Sequence, residues 1–274
     1  MGGLELTPKE LERYQRQMQL PGFGEAGQAK LKASTALVSG VGGLGGTVAL
    51  YLAVAGIGKL ILVRGGDLRL DDMNRQILMT DDWVGQPRVL KAKETLSRIN
   101  PDVEIEAIPE FVTADNVDEL VKRSDLVLSC AHNFDERDLL NAACVLWNKP
   151  MIEAAMSGME AYLTTIVPGQ TPCLSCIFPE KPNWDRWGFG VLGAVSGTLA
   201  CLTATEAVKF ITGLGETLEG KLLTMDLGNV NFTKLRPYHD PNCLICGEGK
   251  RTSSTKASEL LSPSPEKMGA RVAP

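Results

Sequence analysis

The sequence has few aromatic residues, at 5%, and only two histidines among its 274 positions. Basic charge is not in excess. The 28 lysines and arginines face 33 acidic residues, a net charge of −5, which gives no support for nucleic-acid binding. Glycine and charge interrupt every apolar run, so none is expected to reach the ~20 residues of a membrane helix, and no membrane association is expected. The opening MGGLELTPKELERYQRQ is polar and charged, unlike a secretion signal, and Leu6 stands where N-myristoylation wants Ser or Thr. Seven cysteines are an odd count, which argues against a disulfide framework. These absences predict a soluble cytoplasmic protein, and its 44% hydrophobic content is ample for a sizeable core.

What is present is an alternation of strands and helices. Residues 8–32 carry helical periodicity, with Leu11, Tyr14 and Met18 on one face. Strands are predicted at 35–40, 59–64, 103–112, 125–130, 150–155 and 161–168, and helices at 44–55, 86–99, 116–123 and 135–147. This order predicts an α/β fold with a doubly wound, mostly parallel sheet. Later come a Trp/Pro-rich connection at 178–192 holding Arg186 and Trp187, a long apolar helix at 193–213, and two strand-like runs near 220–236. From Glu248 the chain is rich in Ser, Lys, Pro and Glu, and 248–274 reads as a disordered tail.

Gly40, Gly42, Gly43 and Gly45 follow the first strand and open a helix, the arrangement that lets backbone N–H groups meet a phosphate. The alternative is a glycine turn needed only for strand–helix packing. The next strand should end in an acid for the ribose but ends in Arg64. An arginine there suits a 2′-phosphate, as in NADP; Asp67 taking over the acid's task and a merely solvated arginine are the other readings. In DDMNRQ (71–76), Arg75 and Gln76 lie where an arginine would neutralise a triphosphate, or simply face solvent. His132 and Asn133 follow the strand 125–130 at the carboxyl edge of the sheet, where such folds bind ligands; a histidine satisfied at a strand end is the plainer reading.

Cys173 and Cys176 form one CxxC, and Cys243 and Cys246 form a second. Four thiolates satisfy tetrahedral Zn²⁺ completely and leave no open position for water, so the site would be structural. The 66 residues between the pairs mean that it would clamp distant segments. Redox-active or free thiols are the competing readings.

Together RYQRQ, GVGGLGG, DDMNRQ, VGQPR, INP and the two CxxC pairs resemble the MoeB/ThiF/HesA family, bacterial relatives of ubiquitin-activating enzymes, over residues 9 to 247. The resemblance implies a Rossmann-like fold with a C-terminal antiparallel extension, forming one domain over 1–247. Within it, helices at 8–32 would precede a nucleotide-binding half at 33–150 and a carrier and zinc half at 151–247. It further implies Mg-ATP-dependent adenylation of the C-terminal glycine of a ubiquitin-like sulfur-carrier protein, by a homodimer in which Arg16 reaches the partner's ATP. Gly42 and Gly45 would line the phosphates, and Arg75 and Gln76 would meet the triphosphate.

The chain departs from the family pattern at four places. Arg64 and Gly66 stand where acids belong, Arg88 replaces the lysine of GQPK, and His132 replaces a magnesium-binding aspartate, for which Asp135 is a possible substitute. The crossover at 177–192 has no cysteine, and Cys201 lies in the next helix. Three functions follow. The first is adenylation of a carrier tail or a small carboxylic acid, with charge from Arg16, Arg75 and Arg88. The second is a non-catalytic relative that binds nucleotide or carrier, or supports an active paralogue. The third is an NADP-binding protein.

Overall fold

Strand β1 (Thr35–Ser39) is apolar in a continuous run because both of its faces are covered. Ala36 and Val38 point into one core, and Leu37 points into the other. The computed structural model describes residues 5–180, 190–247 and 256–261. Before β1 lie α1 (Pro8–Arg13), α2 (Gln15–Met18) and α3 (Gly24–Ala33). A capping box between Thr7 and Glu10 starts α1. After β1 come α4 (Gly43–Ala55), β2 (Lys59–Val63), α5 (Arg88–Ile99), β3 (Glu104–Ile108), α6 (Val117–Lys122), β4 (Leu126–Ser129) and α7 (Phe134–Trp147). Next are β5 (Met151–Ser157), β6 (Glu160–Ile166), α8 (Leu174–Ile177), α9 (Gly193–Thr212), β7 (Leu222–Asp226), β8 (Asn231–Leu235) and α10 (Ala257–Leu261).

One eight-stranded sheet runs β3-β2-β1-β4-β5-β6-β7-β8. The first five strands are parallel, and β6, β7 and β8 extend the sheet antiparallel. This is a mostly parallel, Rossmann-like arrangement. The order reverses at β1, whose neighbours are β2 and β4, so the crevice for a ligand opens at their carboxyl ends. Helices α4, α5 and α9 contribute to the core on one face; α6, α7, α8 and α10 contribute to the other.

Three expectations are corrected. The strand predicted over 103–112 ends at Ile108, because Pro109 has no N–H to continue the ladder. Within the tail, Ala257–Leu261 is a helix that buries Ala257 and Leu260, and the Ala257 N–H donates to Asp118. Helix α9 is, by length and composition, long and apolar enough to cross a membrane, contrary to the reading that no run approaches that length. Here it packs on α4 and the sheet, and its buried Glu206 accepts the Thr165 hydroxyl at 2.6 Å and pairs with Lys209 at 2.8 Å. Residues 248–255 and 262–274, with Arg186 and Trp187, lie outside the described residues.

Candidate functional site

The glycine loop joins β1 to α4, with Gly42 as the residue before the helix. Gly40 has φ +92°, and a Cβ there would lie 2.7 Å from the Cys130 carbonyl oxygen. Gly43 is required by close approach: a Cβ would meet Ser196 Oγ at 2.7 Å and Arg75 Cβ at 3.0 Å. At Gly45 the clash would be with the Gly40 carbonyl oxygen, at 1.9 Å. Gly42 differs, since its nearest neighbour would be the Gln76 side-chain nitrogen at 3.9 Å. Packing explains Gly40, Gly43 and Gly45 without a ligand. The open side of Gly42 is where a phosphate can approach the positive end of α4. Gln76 is buried there, and its carboxamide oxygen has no partner.

Asp72 organises the arginines beside this loop. One carboxylate oxygen accepts Arg75 Nη2 at 3.0 Å, and the other pairs with Arg88 Nη1 at 3.0 Å and accepts the Arg69 N–H at 3.1 Å. Arg75 also donates to the carbonyl of Asp71 at 2.7 Å, yet it is the more open of the two, with 24% of its side chain exposed against 9% for Arg88. Arg88 is spent on structure, donating to the carbonyls of Gly66 and Asp67 as well. Arg75 and Gln76 therefore converge on the glycine loop, whereas Arg88 lies buried behind it.

At the end of β2, Arg64 Nη1 lies 3.9 Å from Glu136 Oε1 and its guanidinium sits 5.2 Å from the Phe111 ring centre. Burial holds the Arg64 pKa below its ordinary value, against the pull of Glu136. Burial likewise raises the Glu136 carboxyl, and Arg64 and Asn133 oppose that rise. Asn133 caps α7 by accepting the Glu136 N–H at 2.8 Å and donating back to its carboxylate at 2.9 Å. His132 is exposed in the turn before it. Asp67 is exposed, and its backbone pairs with Pro87.

Beneath the same edge, Arg137 and Glu153 form a buried ion pair. Arg137 donates to the Ala131 carbonyl at 2.6 Å, and Tyr162 donates to Glu153 at 3.0 Å. Tyr162, with Phe178, Met156 and Leu222, lines a cavity of about 490 Å³ on the antiparallel half.

The four motif cysteines converge. Cys173 and Cys243 sulfurs are 3.6 Å apart, those of Cys176 and Cys246 are 3.4 Å apart, and all four lie within 4.8 Å of one another. A tetrahedral ion with Zn–S bonds of about 2.3 Å needs sulfurs about 3.8 Å apart, so the set fits zinc. His239 Nε2, which carries no signal in the sequence, stands 3.5 Å from Cys246 Sγ. Among the described residues this is the only such cluster of three or more His, Cys, Asp or Glu side chains. Among the described residues no comparable set gathers for magnesium at His132.

Arg16 is not brought to the glycine loop. Helix α2 sits at the far end of α4, where Gln17 donates to the Ala55 carbonyl at 2.8 Å and Tyr14 packs against Gly56. A 13-residue helix separates the two places by about 20 Å. The sequence reading missed Asp72, Glu136, Phe111 and the Arg137–Glu153 pair. Two of these had local signals: Asp72 precedes Arg75 by one helical turn, and Asn133 with Glu136 has capping-box spacing.

The ThiF family signature matches residues 14–245. The chain is 72% identical over 244 residues to Protein HesA, heterocyst, of Trichormus variabilis, covering 89% of this chain and 91% of that protein. It is 39% identical over 247 residues to the adenylyltransferase and sulfurtransferase MOCS3 of Drosophila sechellia, covering 88% of this chain and 54% of that one. The crystal structure of Escherichia coli MccB with ATP is similar, with a TM-score of 0.76, 27% identity, and coverage of 88% of this chain and 75% of that chain.

Proposed function

The chain belongs to the ThiF family, and from that premise we propose that it is an enzyme that adenylates a carboxylate with ATP. The observation that carries this reading is Arg75 packed on Gly43, beside the open face of Gly42. A fixed cation, a helix N-terminus and the Gln76 side-chain nitrogen, 3.9 Å from where a Gly42 Cβ would stand, then surround one place where a phosphate can lie. The MccB structure with ATP and the adenylyltransferase name of MOCS3 support it.

In the proposed step a carboxylate oxygen attacks the α-phosphorus, and the bond from that phosphorus to the β-phosphate's bridging oxygen breaks. Acyl adenylate and pyrophosphate leave. Arg75 neutralises phosphate charge, and Gln76 donates its amide. Arg88 acts through Asp72 as a positioning residue and does not touch the triphosphate. Arg16, about 20 Å from its own chain's loop by the length of α4, serves the site of a partner copy, which makes the working form a homodimer. Magnesium would come with the triphosphate, and Asp135 in the first turn of α7 is the candidate side chain for it.

The carboxylate belongs to the tail of a ubiquitin-like sulfur-carrier protein or to a small acid, lying toward the cavity at Tyr162. Residues 1–247 act as one adenylation domain, and zinc holds its final segment. A cytoplasmic location keeps the four thiols reduced for that metal. The test is carboxylate-dependent exchange of labelled pyrophosphate into ATP. Exchange by the wild type and loss of at least about 100-fold in Arg75→Ala is the expected result. No exchange with any carrier or small acid, together with co-purification of a paralogue, would favour the non-catalytic reading. That alternative draws on Arg88, which is withdrawn into the fold. NADPH binding tighter than ATP would favour the third.

A further inference from the structure

The nucleoside end of this site lacks the acid that the fold's own rule calls for. In a dinucleotide-type crevice the carboxylate that receives the ribose hydroxyls stands at the end of the second strand, about 20 residues beyond the glycine loop. Here that place is held by Arg64. Asp67, the next acid along, turns outward on a loop whose carbonyls are taken by Arg88. The carboxylate that does reach the place comes from another element. Glu136, in the first turn of α7 and itself buried, is drawn in by the Asn133 amide at 2.9 Å and by Arg64 at 3.9 Å. It spans the ends of β2, β3 and α7, on the outer side of the glycine loop.

Its surroundings are built for a nucleoside. The Phe111 ring lies against Gly65, where a Cβ would come within 2.5 Å of it, and it stays 47% exposed with the Arg64 guanidinium over it, 5.2 Å from the ring centre. A flat apolar face with an adjacent cation offers a stacking surface for a base. Arg64, with 15% of its side chain exposed, is already paired and is no longer an open receptor for a second phosphate.

We propose that Glu136 is the acid that receives the ribose hydroxyls, held in place by Arg64, so that the requirement for a ribonucleotide is set from α7 rather than from β2. The inference rests on the adenylation reading only in assuming that a nucleotide occupies this crevice. An ionised carboxylate has about four acceptor sites; the Asn133 amide and Arg64 both address Oε1, which leaves Oε2 to face a diol.

The experiment is calorimetric titration of the zinc-loaded full chain with ATP, with 2′,3′-dideoxyATP and with NADPH. A hydroxyl bonded to a charged group should give the wild type about tenfold or greater preference for ATP over the dideoxy analogue. In Glu136→Gln that preference should fall to within about twofold, through weaker ATP binding and little change for the analogue. Glu136→Asp keeps the charge at the helix start but withdraws it by one methylene, and should show a partial loss; it also serves if the glutamine variant does not fold. An undiminished preference in folded Glu136→Gln, or in Glu136→Asp where the glutamine variant fails, would overturn the inference and leave the adenylation reading intact. NADPH binding tighter than ATP would overturn it too, since Arg64 would then face a phosphate. No ATP binding by the wild type removes both.

Discussion

Asp72 and Arg88 form a buried ion pair at 3.0 Å, and the same carboxylate holds Arg75 from its other oxygen. One acidic side chain thus fixes both the arginine whose stem packs on the glycine loop and the one that ties down the 66–67 turn behind it. Asp72→Ala would leave Arg88 buried without a counter-charge. The expected cost is about 3–5 kcal/mol, read by denaturant unfolding of the variant against the wild type. A loss below about 1 kcal/mol would mean that Asp72 does not organise this loop.

The glycines should separate under substitution. Gly42→Ala meets nothing closer than 3.9 Å, so stability should change by no more than about 1 kcal/mol while ATP affinity falls. Gly45→Ala drives a methyl to 1.9 Å from the Gly40 carbonyl oxygen and should unfold or strongly destabilise the protein. Equal thermal shifts in the two variants would show that Gly42 is also a packing residue.

Arg16 offers a test by mixing. Arg16→Ala and Arg75→Ala should each be inactive alone. If Arg16 works on the partner's site, random reassociation makes half the dimers mixed, each with one intact site, and restores about a quarter of wild-type exchange activity. Recovery at background level would overturn the partner-site role of Arg16, and an active Arg16→Ala alone would place it outside the reaction.

Glu136 carries a pH signature. Burial lifts its pKa above the ordinary glutamate range, so the folded state binds more protons than the unfolded state. Its contribution is therefore most favourable below the unfolded pKa, near 4.3, and is lost as pH rises through the higher folded value. The groups around it are Arg64, Arg137, Asn133 and the Val112 N–H, none of which changes charge in that window. Unfolding free energies of the wild type minus Glu136→Gln, measured from pH 4 to 7, should decline with pH. A difference that grows with pH would reverse the assignment.

Metal analysis should return one zinc per chain. Chelation should lower the melting temperature and open the segment around Cys243 to protease before the parallel half is cut. Zinc far below one per chain, or a chelated protein with unchanged melting, would show that the thiols stand without a metal.

The legible parts of this structure were those written in local spacing. The four-cysteine cluster follows from two CxxC knuckles because each knuckle is itself a short-range device, and only their meeting needs the fold. The glycine loop was readable as strand–glycine–helix. The role of Asp72 was only half legible: its i,i+3 spacing to Arg75 is local, but its pairing with Arg88 exists only once α5 delivers that residue from 16 positions away. Arg64 was legible as a departure but not as half of a pair, since Glu136 arrives from the other side of β1. Pro109 was the available sign that the strand after Val103 should stop, and alternation beyond it was coincidence of residue type.

The place of the second cysteine knuckle also sets an order on the chain's birth. Helix α9 is complete at Thr212, but the second knuckle begins only at Cys243. A ribosome would therefore finish a helix apolar enough to suit a membrane some thirty residues before the cysteines that can close the clamp exist. During that interval the elements already made, α3, α4, β5 and β6, must shelter it. Where they do so slowly, the nascent chain presents its long apolar helix to the cell, and because the four cysteines meet on the other face of the sheet, closing that clamp cannot shorten the exposure.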